Sequence, residues 1–108
     1  MIDDLRRATE PQALVAALRT VLSEDELLAV AGRLGAGPGE QAWDHRRLDE
    51  LRSLVVTLSD SLTTAGVAKW LRAGNRLLGG RAPLEVLTDG DVRKVTAAAA
   101  SFTEGAYL

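Results

Sequence analysis

The chain has 108 residues, enough for one hydrophobic core but not for two independent ones. Apolar residues make up 46% of it but aromatics only 4%, so that core must be built from Leu, Val and Ala, a mix that favours packed helices. The net charge of −2 is uneven, with seven arginines against eleven carboxylates in residues 1–65 and six cations against three carboxylates in residues 66–94; there is no cysteine, which excludes a disulfide framework and thiolate metal sites and points to a reducing cytoplasm.

The opening residues, MIDDLRRATEP, are charged and lack the apolar centre of a signal peptide. No stretch approaches the ~20 apolar residues that span a bilayer, so no membrane role is expected. Thr9 and Gln12 have the spacing of a capping box, and Leu14, Ala17, Leu18 and Val21 share one face of a helix predicted over 11–22. Ser23 and Glu26 repeat the box, with Glu24 and Asp25 complementing the helix dipole; this second helix runs to Ala31 and stops at Gly32.

Gly35, Gly37, Pro38 and Gly39 crowd the next stretch and predict a loop, with one turn near Trp43. From Asp44 or His45, Leu48, Leu51, Leu54, Val55, Leu58 and Leu62 recur at steps of three and four, the clearest amphipathic helix and the expected central strut. Thr64 is positioned to cap a short helix carrying Val67, Trp70 and Leu71, ended by Gly74. Leu77-Leu78-Gly79-Gly80 then form a loop, and Pro83 opens a short helix through Val86 and Leu87. Thr88 or Asp89 caps a last helix with Val92, Val95, Ala99 and Phe102 on its apolar face and Gly105 at its end. With no strand-like alternation, the fold class is all-α: a small multi-helix bundle.

Chemistry is thin. His45 is the only histidine and sits in a charged, solvated stretch. Glu24-Asp25-Glu26 and Asp49-Glu50 have plain roles at a helix start and on a solvent face, and Gly79-Gly80 lacks the companions of a phosphate loop. The expectation is no enzyme, no catalytic residue, no cofactor and no metal. A helix-turn-helix is possible between Leu22 and Leu48, but its reading element offers only Glu40 and Gln41 among glycines, in the acidic half, so DNA binding is weakly supported.

The ordered set Trp70-Leu71, Asn75, Leu78-Gly79-Gly80, Arg81, Pro83 with Leu84 and Leu87, Gly90, Val95 and Gly105-Ala106-Tyr107 resembles the toxin-binding domain of Xre/MbcA/ParS-type antitoxins, over about Leu48 to Leu108. That resemblance implies a front region, residues 1–44, derived from a helix-turn-helix, and a toxin-binding region, residues 45–108. It further implies a cytoplasmic antitoxin, itself not a catalyst, that binds a RES-domain toxin consuming NAD and covers its active site with the C-terminal residues, as a possible homo-dimer inside a toxin–antitoxin hetero-oligomer. The front region departs from the family in its extra helix from Pro11 and its shortened, glycine-rich segment.

The toxin-binding residues expected are Asn75, Arg76, Leu77, Leu78, Gly79, Gly80 and Arg81 in the turn, and Gly105, Ala106, Tyr107 and Leu108 at the end. Asn75 suits hydrogen bonding within an irregular turn, and Trp70 suits anchoring it from inside. Leu77 and Leu78 each either cover the core or form an apolar patch, one of each being allowed. Arg76, Arg81, Arg93 and Lys94 would rim such a patch, and Tyr107 and Leu108 gain little unless something buries them. Two other readings stay open: a DNA-binding regulator working through residues 22–48, and a self-associating helical scaffold.

Overall fold

The structure is a computed structural model that describes residues 10–32 and 43–104. Helix α1, Pro11–Leu18, starts with proline in its first turn, where the missing N–H costs nothing, and its N-cap is Glu10 without a side-chain hydrogen bond. The predicted box from Thr9 to Gln12 is therefore not the start of this helix; Thr9 itself lies outside the described residues. The helix also ends four residues earlier than its periodicity suggests. Val21 and Leu22 are buried all the same, in a turn whose amides both donate to the Leu18 carbonyl.

Helix α2, Glu24–Ala31, has the full capping box: Ser23 Oγ accepts from the Glu26 amide at 3.2 Å while Glu26 accepts from the Ser23 amide at 2.8 Å. It stops where the backbone turns extended at Gly32, φ −68° and ψ 142°, a position at which a Cβ would meet the Leu28 carbonyl oxygen at 2.2 Å. An isolated antiparallel bridge pairs Gly32 with Trp43, and the Asp44 amide donates to the Ala31 carbonyl at 2.8 Å. Both ends of residues 33–42 are thereby held together; the expected glycine-rich loop itself lies outside the described residues.

Helix α3, His45–Ser59, is capped by Asp44, whose carboxylate accepts from the Arg46 and Arg47 amides. Its predicted face is buried: Leu48, Leu51, Leu54, Val55 and Leu58 are all at most 2% exposed. Around this strut pack α1, α2, α4 and α6. Helix α4, Thr64–Arg72, is capped by Thr63 rather than Thr64, Thr63 Oγ1 accepting from the Gly66 amide at 3.1 Å.

A 3-10 turn, Arg76–Leu78, leads to α5, Pro83–Thr88, which packs on α2, α4 and α6. The cap of α6, Val92–Thr103, is Asp91, accepting from the Lys94 amide, and not Thr88 or Asp89. Thr88 ends α5, its hydroxyl donating to the Leu84 carbonyl at 2.8 Å, and Gly90 with φ 90° closes that helix: the Gly90 amide donates to Leu87 and the Asp91 amide to Val86. That pairing of the last carbonyls with amides beyond a left-handed residue is a Schellman stop. On α6, Val95 and Ala99 are buried as expected, Ala98 joins them, and Val92 and Phe102 are partly buried; the predicted stop at Gly105 lies outside the described residues.

One cluster of buried side chains, from Leu14 to Ala99, joins all six described helices. The front and back helices are further tied by an ion pair 46 residues apart. Arg72 Nε and Nη2 donate to the two oxygens of Glu26 at 2.8 and 2.6 Å, and Nη2 also donates to the Val21 carbonyl at 3.3 Å. The Arg72 hydrogen bonds, against an opposing cost of burial and with help from Ser23, hold the Glu26 carboxyl down from the usual 4.5 to about 2. The carboxylate is thus favoured more in the folded chain than in the unfolded one. Its contribution is complete above about pH 4.5 and is lost as pH falls toward 2. Because Arg72 is 46% exposed and screened by water, that contribution is about 1 kcal/mol. Glu26→Gln should remove this component of acid sensitivity, which urea melts between pH 5 and 2.5 would read as a smaller drop in stability than the unaltered chain shows.

Candidate partner-binding site

The turn after α4 is a knot of backbone hydrogen bonds built on Asn75. Its amide donates to the Arg81 carbonyl at 3.0 Å, its carbonyl accepts from the Leu78 and Gly80 amides at 3.0 and 2.9 Å, and its side-chain Oδ1 accepts from the Leu77 amide at 2.9 Å. Asn75 is itself buried, as an irregular turn demands of its organiser. Gly79 and Gly80 take φ of 69° and 87°, which reverses the chain toward Pro83.

In a 3-10 turn successive side chains point about 120° apart. The two adjacent leucines therefore face different ways. Leu78 turns inward and is 7% exposed, while Leu77 turns outward and is 55% exposed. Leu78 thus covers the core, while Leu77 is left on the surface. Helix α6 packs against the turn from the side, and Leu77, Leu78, Gly79, Arg81, Val86 and Lys94 line a shallow groove between them.

The basic rim is only partly free. Arg81 is held by its own chain, donating to Asp89 at 2.6 Å with Glu85 at 3.7 Å, and Asp89 chiefly raises its affinity for the proton. Lys94 lies 3.4 Å from Asp91. Arg76 and Arg93 are exposed and, among the described residues, form no ion pair, although Arg93 shares a cavity with Asp44, Glu50 and Asp91. The spacings of Arg81 to Glu85 and of Asp91 to Lys94 were the available signal for the pairings within reach on one helical turn.

Leu78 is the buried apolar side chain of the turn itself. Trp70 is half-buried and meets Phe102 with ring centroids 6.2 Å apart at 54°, a tilted pair that fixes the last turn of α6 against α4. The place where the chain leaves α6 is set by this contact. Of the expected binding residues, Asn75, Arg76, Leu77, Leu78, Gly79, Gly80 and Arg81 come together in one turn, whereas Gly105, Ala106, Tyr107 and Leu108 lie outside the described residues.

A second exposed apolar side chain, Leu28 on α2 at 41%, was not singled out by the sequence, because its step of one from Leu27 puts it off the apolar stripe. His45 is exposed at the start of α3. Among the described residues no three His, Asp or Glu side chains converge as metal ligands, and no helix is long and apolar enough to cross a membrane. Arg47 reaches from α3 to the end of α5, donating to the Leu87 carbonyl at 3.4 Å beside Gly90. The element expected to read DNA, within residues 33–42, lies outside the described residues; α2 before it carries three acidic side chains and no basic one.

Comparison with known proteins finds a relative in sequence and a match in fold. The chain is 41% identical to a probable mycobacterial cidal antitoxin of Mycobacterium tuberculosis, over an alignment of 113 positions covering 96% of each chain. Its fold matches a chain in the crystal structure of the M. tuberculosis MbcT–MbcA toxin–antitoxin complex with a TM-score of 0.70 at 24% identity, covering 88% of this chain and 94% of that one. No family model matches the sequence.

Proposed function

The chain belongs to the family of mycobacterial cidal antitoxins, and from that premise we propose that it binds a cognate RES-type, NAD-degrading toxin and inhibits it by covering the active site with residues 105–108. The chain supplies no catalytic group of its own in this reading; it works by occupying another protein's cleft. The observation that carries it is the braced turn of residues 75–81, which presents Leu77 to solvent next to α6, the helix that leads into residues 105–108.

Two further features support the reading. The Trp70–Phe102 pair ties the last turn of α6 to α4, the helix that leads into the turn. The order of chain elements also places the turn and the end of α6 on the same half of the sequence, residues 45–108, which we assign as the toxin-binding region. The solved complex that contains a chain of this fold pairs an antitoxin with a toxin, and a cytoplasmic hetero-oligomer of the same kind is the corresponding expectation for this chain.

The test starts from the reading frames beside this gene, where this reading expects a RES-type protein, and uses that protein in a reconstituted assay. Alone it should consume NAD, and addition of the full chain should stop it. Deleting residues 105–108 is expected to restore consumption while leaving the unfolding temperature of the free chain unchanged. Persisting inhibition by the shortened chain would overturn the covering mechanism.

A further inference from the structure

We propose that Leu77 docks into an apolar pocket bordered by carboxylates on the toxin, with Arg76 facing those carboxylates, and that this contact, separate from residues 105–108, selects which toxin the chain accepts. The inference rests on the antitoxin reading above and adds to it the chemistry of the partner's surface.

Leu77 is the more exposed of the two large apolar side chains that the described residues leave to solvent. It is not a mobile loop residue in search of a conformation. Its amide is held by Asn75 Oδ1, its neighbour Leu78 is anchored in the core, and the Asn75 carbonyl and amide close the turn on both sides. Immobilising a loop normally offsets part of the affinity gained on binding; here that ordering is already done by folding. A single apolar side chain held rigidly at a surface has the character of an anchor residue, which needs a pocket rather than a flat face.

The charges around it define the pocket's rim. Each carboxylate beside the groove already faces a cation of its own chain: Asp89 and Glu85 face Arg81, and Asp91 faces Lys94. Arg76, immediately before Leu77, faces none among the described residues. Because Asp89 and Glu85 share Arg81, the groove as a whole is near neutral, and the positive charge is local to the tip, where Arg76, beside Leu77, makes no ion pair among the described residues; the complement of that tip is apolar with negative charge.

The same pattern argues against two other occupants. A second copy meeting this face about a two-fold axis would bring Arg76 toward its own equivalent, a like-charge approach that opposes association. Nucleic acid would meet one free cation beside an exposed leucine, too little charge to hold a phosphate backbone.

The experiment titrates the purified full-length chain into the purified RES-type toxin that the antitoxin reading expects beside this gene, at low and at high salt. Leu77→Asp should weaken binding by about 30-fold or more, the scale of an anchor residue, and Arg76→Glu by about 10-fold, chiefly through a slower, less salt-dependent association. Leu77→Met should stay within about 3-fold of the unaltered chain. All three should keep the unaltered unfolding midpoint, since both side chains are exposed. Leu77→Asp binding as tightly as the unaltered chain would overturn the docking, even where deletion of residues 105–108 still frees the toxin and the antitoxin reading stands. So would a dimer of the free chain that Leu77→Asp dissolves. Failure of the unaltered chain to bind at all would remove the antitoxin reading itself.

Discussion

Leu58→Ala is expected to lower the stability of the folded chain by about 3 kcal/mol and its unfolding temperature by roughly 15 °C. Leu58 is 0% exposed and sits on α3, the strut against which α1, α2, α4 and α6 all pack. A cavity there is walled by rigid helices on several sides, so neighbouring side chains cannot collapse into it without displacing a helix. The loss then includes both the transfer of the missing methyl groups and the unfilled volume. For a domain of this size, whose total stability is about 5–15 kcal/mol, that is a large fraction. Urea denaturation should show a lower midpoint with an unchanged slope, and Leu58→Met, which conserves volume, should cost under about 1.5 kcal/mol. A cost below about 1 kcal/mol for the alanine variant would mean that α3 is not the centre of the core.

The strut was legible because one physical rule governs it: a buried helix face repeats its leucines every three or four residues, and Leu48 to Leu58 do so without interruption. Val67, Leu71 and Val95, each fully buried, obey the same rule. The ends of helices obey several rules at once and were read less well. Thr88, Asp89 and Asp91 all carry oxygens able to cap α6, and the choice falls to Asp91 only because Gly90 takes a positive φ and ends α5 first.

Trp43, next to the glycine-rich stretch, gave no periodic signal, yet it is buried and bridged to Gly32. Glu26 was legible as a helix cap through its local spacing from Ser23, while its pairing with Arg72 depends on tertiary contact and leaves no mark in local sequence. The candidate site shows the same division. That residues 75–81 form one turn follows from Asn75 and the two glycines; which leucine faces outward depends on the phase of a single 3-10 turn, which spacing does not encode. The assignment of residues 105–108 to the toxin's cleft came from the family resemblance alone and remains a proposal.

Gly74→Ala is expected to cost about 2–3 kcal/mol and to weaken partner binding beyond what the loss of folded protein explains. The reason is space rather than torsion. A Cβ at Gly74 would lie 2.7 Å from the Gly80 carbonyl oxygen, a backbone atom that cannot rotate away. Relieving that overlap must part residues 74–75 from residues 80–81, where the Asn75 amide donates to Arg81 and the Gly80 amide donates to Asn75. Those are the bonds that hold Leu77 in place, so overpacking at one atom loosens the presented side chain.

Gly79 provides the contrast. A Cβ there meets nothing within 4 Å, and the constraint is its φ of 69°. Gly79→Asn, which tolerates the left-handed region, should therefore cost under about 1 kcal/mol, whereas Gly79→Val should cost about 2 kcal/mol. Thermal melts rank the three variants, and calorimetric titration with the toxin, below the melting range of each, separates stability from presentation. A Gly74→Ala chain that melts and binds like the unaltered one would show that the close approach of Gly74 to Gly80 does not brace the turn.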